Sequence, residues 1–342
     1  MISRSDTAPP TASASRMQPV ARFAWLTLAY NFAVIVWGAY VRATGSGAGC
    51  GNHWPLCNGG ILPGSPQAQT VIEFLHRVTS ALALVMVSSL VVWCWRKTSK
   101  GDWPRYSAVL AIVLLSNEAL LGALLVIFNH VAQDASAGHA LLLSLHFGNT
   151  LLLLASLSLT ARWLSNDDRR FAVTGKPLER LAIGLGLVAV MCLGITGSLA
   201  ALGDTLFPGT SLQSSLIQDF SSSSQLLLRL RLLHPFVASL SAIYVLWILL
   251  KTSRKQVQSP RTVPFLVGTL ILQVGLGVMN VILLAPVWLQ MAHLVVAELF
   301  WILLVLASAD LLLEARARRH SVSHFEQNLH VSEIRGIARS LS

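Results

Sequence analysis

The chain has 342 residues, of which 54% are hydrophobic and only 12% are charged, and its formal net charge is +10. Soluble domains carry about 25% charged residues, so the composition excludes a soluble globular protein and predicts a polytopic membrane protein. In such a protein the basic charge is judged by the loops that carry it, and no nucleic-acid partner is predicted.

Eight apolar segments are long enough to cross a bilayer, which takes about 20 helical residues. They are predicted at 22–43, 72–95, 105–129, 138–162, 178–201, 227–250, 263–285 and 289–313. Residues 1–21, rich in Ser, Ala, Pro and Thr without a signal-cleavage pattern, are predicted to be a disordered cytoplasmic tail. The pattern therefore predicts an all-α protein with eight transmembrane helices in a lipid bilayer.

Lysine and arginine are concentrated in alternate loops. The loops after spans two, four, six and eight are basic, whereas the others are nearly free of Lys and Arg, with Arg42 at the edge of the first. The positive-inside rule then predicts that both termini are cytoplasmic. The two long external loops are the glycine-rich segment 43–70 and the polar, serine-rich segment 202–225.

The cysteines fall into two groups. Cys50 and Cys57 are separated by six residues in an external, oxidising loop, which permits either a disulfide or a redox-active dithiol. Cys94 and Cys192, in spans two and five, are predicted to be packing residues.

Spans one to four resemble spans five to eight. The matches are Thr44-Gly45-Ser46 with Thr196-Gly197-Ser198, Glu118 with Gln273, His76 with His234, and His146 with His293. Both halves share one orientation, so the pattern indicates a parallel duplication and predicts two pseudo-symmetric four-helix bundles. The expected domains are 22–165 and 177–314, with a cytoplasmic linker at 166–176 and a cytoplasmic tail at 315–342.

One histidine lies near the outer end of each even-numbered span. These histidines are His76, His146, His234 and His293. Paired within each repeat, they suit the axial positions of a haem iron, whereas a mononuclear zinc or copper site usually needs more ligands. A lone membrane histidine is more often a hydrogen-bonding group between helices, but four at one depth favour haem.

The other histidines have different expectations. His53 and His130 lie in external loops and are not predicted to be ligands, and His139 at the start of span four is ambiguous. The cytoplasmic tail holds three more, His320, His324 and His330, which are expected to be solvated.

Glu73 lies three residues before His76 and on the same helix face. A carboxylate just inside a membrane is costly unless it binds something or takes part in chemistry. The second half has Arg231 at the matching position. The asymmetry makes Glu73 a candidate catalytic group.

Three arginines are candidate partners for anionic haem propionates. They are Arg77, Arg229 and Arg231. The alternative is that their side chains extend to the membrane–water interface to keep the charge hydrated. Glu118 lies mid-span and is expected to be neutral and hydrogen-bonded to a neighbouring helix, because its repeat partner Gln273 is uncharged.

Motifs in order along the membrane portion resemble the haem A synthase family. They are G-A-Y-V-R-A-T-G-S-G-A-G-C-G-N-H-W-P-L-C-N-G (38–59), I-E-F-L-H-R (72–77), L-H-F-G-N-T (145–150), L-L-H-P (232–235) and L-G-V-M-N-V-I-L-L-A-P (276–286). The resemblance implies a duplicated four-helix fold in the bacterial cell (inner) membrane. Two departures stand out: the loop 202–225 lacks the second cysteine pair of many relatives, and Glu118 replaces a usual glutamine.

The resemblance also implies an activity: oxidation of the C8 methyl of haem O to a formyl group, by successive hydroxylations and loss of water, giving haem A for cytochrome oxidase. Substrate haem O would lie between His76 and His146 with Glu73 as the essential acid. A haem b cofactor would be held by His234 and His293. A haem O synthase is the natural supplier, while the electron acceptor and the formation of a homo-oligomer are left open.

Three alternatives compete with this interpretation. A bis-haem electron carrier of the cytochrome b561 kind would place haems near both faces and would not need Glu73. A transporter or channel with histidines in a proton path predicts no tightly bound haem. A haem O farnesyltransferase is disfavoured because the chain lacks the aspartate-rich motifs that bind a prenyl diphosphate through magnesium.

Overall fold

The computed structural model describes residues 12–64, 67–165, 170–220, 226–253 and 262–315. In these ranges the helices are α1 (Ala12–Ala43), α2 (Ala68–Lys97), α3 (Trp103–Ile127), α4 (Ala137–Ser165), α5 (Pro177–Leu206), α6 (Leu212–Phe220), α7 (Leu226–Ser253), α8 (Thr262–Ile282) and α9 (Val287–Leu312). All except α6 are long and apolar enough to cross a membrane. The prediction of eight spans in a multi-pass membrane protein is confirmed.

The long helices follow from their apolar runs, because in lipid a helix satisfies every backbone polar group internally. Proline in the first turn marks the starts of α3 and α5, where its missing N–H costs nothing. The chain leaves α1 through Gly45, which has a left-handed φ of 64°, a conformation that glycine adopts readily.

Helix α5 runs further than predicted. It continues to Leu206 instead of ending at residue 201, so Thr196-Gly197-Ser198 lies inside the helix, whereas Thr44-Gly45-Ser46 follows the end of α1. The predicted correspondence between these two tripeptides is therefore wrong. The reason is that Gly197 is not a helix terminator here: it lies against the ring of His234 on α7, and the alanines after it favour helix.

The predicted tails and linker also differ from the structure. Residues 12–21, assigned to a disordered tail, form the beginning of α1, since Ala, Arg, Met and Gln favour helix. The linker 166–176 contains a strand, β1 (Phe171–Val173), which pairs antiparallel with β2 (Leu313–Ala315). The remaining parts of these predictions, at 1–11, 166–169 and 316–342 with its three histidines, lie outside the described residues.

Helix contacts follow the repeat. In the first half α1 and α3 each pack against α2 and α4, and in the second half α5 and α8 each pack against α7 and α9. The halves meet where α1 and α4 contact α5 and α9. These contacts are the ones expected of two side-by-side bundles, whose division at 22–165 and 177–314 stays a prediction.

The molecule has two different ends. The disulfide end is the one where α1, α3, α5 and α8 finish and where the loop 44–64 lies; the opposite, basic end carries β1 and β2. The large apolar core occupies the basic side and includes fully buried small residues such as Ala83, Ala108 and Ala161, a residue type that allows close helix packing in membrane bundles. Towards the disulfide end the helices separate around a cavity.

Candidate functional site

One cavity of about 1020 Å³ lies between the helices towards the disulfide end. All eight long helices contribute to its mainly apolar lining, and so do all four histidines of the predicted ligand set: His76, His146, His234 and His293. Its volume is at the upper end of the range of about 300–1,000 Å³ for small-molecule sites. The structure therefore brings the four histidines to one partly open space.

Each of these imidazoles lies opposite a glycine on a neighbouring helix. The pairs are Gly38 with His76, Gly122 with His146, Gly197 with His234 and Gly277 with His293. A Cβ added at Gly38, Gly197 or Gly277 would lie 2.9, 3.0 or 3.2 Å from Cε1 of the facing ring, against 3.9 Å at Gly122. Glycine thus leaves room for the rings at three positions, a pattern that spacing alone did not reveal.

The ring nitrogens have few protein partners. Nδ1 of His76 and Nδ1 of His293 are buried and have no hydrogen-bond partner among the described residues. Nδ1 of His234 lies 3.3 Å from the hydroxyl of Thr196. Buried polar atoms are usually paired, so these imidazoles fit a role as ligands to a group in the cavity.

The donor set suits haem better than a bare metal ion. Two imidazoles per half are the ligands of a bis-histidine haem. Among the described residues, no three His, Cys, Asp or Glu side chains are close enough to form a mononuclear metal site, which would need about that number of protein ligands.

Glu73 faces the cavity and also holds the disulfide loop. Glu73 is 3% exposed. Its carboxylate accepts hydrogen bonds from the amide of Cys50 at 2.8 Å and from Nη2 of Arg77 at 2.5 Å. Arg77 in turn donates to the carbonyls of His53 and Leu56 at 2.6 and 2.7 Å. The Glu73–Arg77 pair therefore joins α2 to the loop above the cavity.

Cys50 and Cys57 form a disulfide and are both buried, so of the two forms that the spacing permits the structure contains the disulfide. Of the other cysteines, Cys94 is buried as predicted, whereas Cys192 lies on the exposed surface of α5 and not in the packed interior. The helix turns that residue away from its neighbours.

The three predicted propionate partners lie in different environments. Arg77 is bonded to Glu73 and the disulfide loop, as described. Arg231 lines the cavity and contacts Asp204, at 3.0 Å, and Asp219. Arg229 is exposed on α7 and is not part of the cavity lining.

Glu118 is bonded to α4, as expected, but it also approaches a histidine. Its carboxylate accepts hydrogen bonds from Asn149 and Thr150, and its Oε1 lies 2.9 Å from Nδ1 of His146, at ion-pair distance but without hydrogen-bond alignment. At the equivalent place in the second half, Nε2 of Gln273 lies 3.2 Å from Nε2 of His293. The repeat thus places a polar side chain beside each of these two rings.

Two further histidines line the cavity at this place: His130 lies in the loop between α3 and α4, and His139 lies in the first turn of α4. Oδ2 of Asp134 lies 2.7 Å from Nδ1 of His130 and accepts a bond of the same length from Ser136. His139 is 4% exposed, and its Nδ1 donates to the carbonyl of Asp134. Partial burial raises the pKa of Asp134, but the bonds from His130 and Ser136 outweigh it, so the pKa is lowered overall.

Glu298 and Arg42 are among the cavity-lining ionisable residues that were not predicted as site residues. Glu298 on α9 is fully buried, and neither of its carboxylate oxygens has a hydrogen-bond partner among the described residues. Arg42 on α1 lines the cavity as well. Both could have been found from the sequence, because an ionisable residue inside a span is by itself a sign of function.

Comparison with known proteins gives matches over most of the chain. A family model described as COX15-CtaA, cytochrome oxidase assembly protein, matches residues 21–305. A Thermus thermophilus protein named "Protoheme IX farnesyltransferase" is 40% identical over 316 residues, which cover 91% of this chain and 51% of that protein.

Proteins named "Heme A synthase" match over shorter stretches. The Bacillus licheniformis protein is 41% identical over 163 residues, covering 46% of this chain and 51% of its own length. The Halalkalibacterium halodurans protein is 39% identical over 147 residues, covering 43% and 47%. The matches span about half the length of each of these three curated relatives.

Proposed function

The chain belongs to the COX15-CtaA family of cytochrome oxidase assembly proteins, and we propose that it is a haem A synthase, which oxidises the C8 methyl of haem O to a formyl group. The observation that carries this proposal is the single cavity lined by four histidines, three of which face glycines that leave little room for a side chain. The names of the bacilli relatives point the same way.

In this proposal the two halves hold different haems. His76 and His146 bind the substrate haem O, and His234 and His293 bind the cofactor haem b. When bound, haem b supplies one-electron redox chemistry. The glycines opposite the rings allow the imidazoles to lie close to the neighbouring helices, and the apolar lining favours a porphyrin face over water.

Two carboxylates are available to the substrate half. Conversion of a methyl to a formyl group adds the oxygen of one water molecule and releases four electrons and four protons. Glu73 is held by Arg77 and the amide of Cys50, so its charge is fixed in position and can stabilise positive charge that develops as the methyl is oxidised. Glu118 lies beside His146, the position from which carboxylates commonly orient metal-binding histidines.

The partners follow from the substrate. The T. thermophilus relative carries the name of the enzyme that makes haem O, and about half of that protein is not matched by this chain. We place the farnesyl transfer of that relative in its unmatched half, and a haem O synthase beside this chain as the source of substrate. The proposed location is the bacterial cell membrane, with both termini cytoplasmic; the electron acceptor is not identified.

The test uses cells that make haem O but no haem A. Expression of the wild type should lead to haem A, and the purified protein should contain haem B as well. His76→Ala should abolish haem A while haem B is retained, whereas His293→Ala should lower the haem B content. Haem A formed at wild-type level by both variants would contradict the assignment of the two sites.

A further inference from the structure

Arg42 is a cation at the edge of the first external loop whose side chain faces the cavity. It lies one helical turn after Gly38, the glycine opposite the ring of His76. Residues four apart lie on one face of a helix, so the guanidinium is about one turn, or roughly 5 Å, nearer the disulfide end than that ring.

The guanidinium connects the two halves of the molecule. Nη1 donates to the carbonyl of Ala201 at 2.7 Å and to the hydroxyl of Thr205 at 3.0 Å, both on α5. Nη2 donates to Oε1 of Gln290 on α9 at 3.2 Å. The amide of Gln290 is itself oriented, because its Nε2 donates to the carbonyl of Ala285 at 2.7 Å.

These contacts place Arg42 on the disulfide side of both histidine pairs. Ala201 is one turn after Gly197, the glycine opposite His234, and Gln290 is three residues before His293. The cation is therefore about one turn towards the disulfide end from histidines of both halves. A porphyrin bound by either pair could turn its acidic edge to this side of the cavity.

The charge of Arg42 has no direct carboxylate partner among the described residues. Its three acceptors are all neutral. Asp204 is near enough to act on it electrostatically, but its Oδ1 is bonded to Arg231 at 3.0 Å. A cation in an apolar cavity with neutral acceptors only is costly, so an anion in the cavity would relieve this cost.

The other cavity-lining arginines differ in this respect. Arg77 contacts the carboxylate of Glu73, and Arg231 contacts those of Asp204 and Asp219. Their charges are already compensated by protein groups. Arg42 is thus the arginine best placed to accept a carboxylate from a ligand, since guanidinium and carboxylate form strong, directional pairs.

We propose that Arg42 binds a propionate of a haem held in the cavity, in place of the role considered for Arg77 and Arg231. The inference rests on the proposed function, because it takes haem as the ligand. The recognised group is a carboxylate on the porphyrin edge, and the haem that carries it is bound either by His76 and His146 or by His234 and His293.

The test compares haem with a haem that has no propionate charge. Full-length protein is prepared without haem, from cells starved of haem precursor, and titrated in detergent with ferric protohaem and with its dimethyl ester. Arg42→Gln should weaken the binding of protohaem about tenfold or more and leave the binding of the ester unchanged. An equal loss for both ligands, or no loss for either, would overturn the inference.

Two control variants separate charge recognition from helix packing. Thr205→Val removes one neutral acceptor of Arg42 but keeps the cation, so the preference for protohaem over the ester should remain. Arg162 pairs with Asp310 at the basic end, so Arg162→Gln should bind both ligands as the wild type does. If Thr205→Val loses the preference as fully as Arg42→Gln, helix packing explains the effect and the inference fails.

Repeating the Arg42→Gln titrations in two histidine variants identifies which haem Arg42 contacts. His76→Ala leaves the second pair of histidines, and His293→Ala leaves the first. An Arg42 effect that persists in either background supports the inference and names the site, whereas its absence from both overturns it. Failure of the wild type to bind protohaem at all would overturn the proposed function as well, but binding without an Arg42 effect overturns this inference alone.

Discussion

At the scale of single residues, the glycines opposite the imidazoles give a test of the histidine site. Gly38→Ala and Gly197→Ala place a methyl 2.9 and 3.0 Å from a ring carbon, whereas Gly122→Ala meets its ring at 3.9 Å. Overpacking costs about 1–3 kcal/mol, so the first two variants should bind haem about five- to a hundredfold more weakly. Gly122→Ala is the matched control and should bind haem almost normally.

The measurement is the haem content of each purified variant, read from the absorbance of the extracted pigment. We expect Gly38→Ala to lower the haem content of the first half and Gly197→Ala to lower the haem b content of the second. If the alanine at residue 122 were as harmful as the other two, contact with the rings would not explain the glycines.

Glu298 and Glu118 can be compared with each other. The carboxyl of Glu298 has no hydrogen-bond partner among the described residues, whereas the carboxylate of Glu118 accepts bonds from Asn149 and Thr150. Replacing an unpaired buried polar group by an apolar one should stabilise the fold, whereas removing a bonded group should destabilise it, by about 1–3 kcal/mol in each case. Glu298→Leu is expected to raise the thermal unfolding midpoint in detergent, and Glu118→Leu to lower it.

Glu298→Leu should also form less haem A, since a costly carboxyl inside a membrane protein is expected to serve function. An unchanged or lower unfolding midpoint for Glu298→Leu would mean that the carboxyl has a stabilising partner. Full haem A formation by this variant would mean that the group has no part in the reaction.

The sequence was informative about residue types but not about contacts. His76, His146, His234 and His293 were identified from their depth and repeat, and the structure gathers them in one cavity. The bond from Glu73 to the amide of Cys50 could not be predicted, because it depends on how a loop 23 residues away folds back. For the same reason the sequence predicts Arg77 as a partner for haem propionates and does not predict its hydrogen bonds to the carbonyls of the disulfide loop.

At the scale of elements, the disulfide loop is held to α2 by side chains as well as by its own covalent bond. Arg77 donates to the loop carbonyls of His53, Pro55 and Leu56 and to Glu73. Thr70 donates to the carbonyl of Gly49 at 2.8 Å. Arg77→Ala should therefore expose the Cys50–Cys57 disulfide to a water-soluble reductant several-fold faster. Arg229→Ala, on the exposed face of α7, is the control.

The rate is measured by trapping the released thiols with a mass tag. An unchanged rate for Arg77→Ala would show that the arginine does not hold the loop. A rate raised equally by Arg229→Ala would indicate a general effect of lost positive charge.

Helix ends were harder to predict than helices. The apolar runs specify the eight spans because length and composition are sufficient in lipid. The sequence predicts an end for this span at residue 201, shortly after Gly197 and five residues before the observed end of α5 at Leu206. Packing against His234 on α7 keeps that glycine inside the helix, and such a tertiary contact is not visible in local sequence.

At the scale of the whole molecule, the alternation of basic loops predicts the orientation in the membrane. Ile61, in the disulfide loop, is 82% exposed, and Lys100, in the loop after α2, is exposed at the basic end. In a Cys192→Ser background, Ile61→Cys should react with a membrane-impermeant thiol reagent in intact spheroplasts. Lys100→Cys should react only after the membrane is opened; the reverse pattern would contradict cytoplasmic termini.

The cavity that joins the halves was not foreseen in the sequence. The repeat predicted two bundles with two separate histidine pairs, and the structure adds that one continuous space reaches both pairs. The close-packed apolar core is concentrated on the basic side, whereas on the disulfide side glycines face the four histidine rings and the helices leave a space between them. Periodicity cannot report such a difference in packing along the helices.

We propose that haem O is converted into haem A in this cavity with Glu73 taking part, and extraction of the bound pigments is the most direct test. Wild type and Glu73→Gln are purified from cells that make haem O, and their haems are separated by chromatography. We expect haem A and haem B in the wild type, with haem O or a hydroxylated intermediate accumulating in the variant. Haem B alone in both would favour an electron carrier, and full haem A formation by Glu73→Gln would contradict the role of that carboxylate.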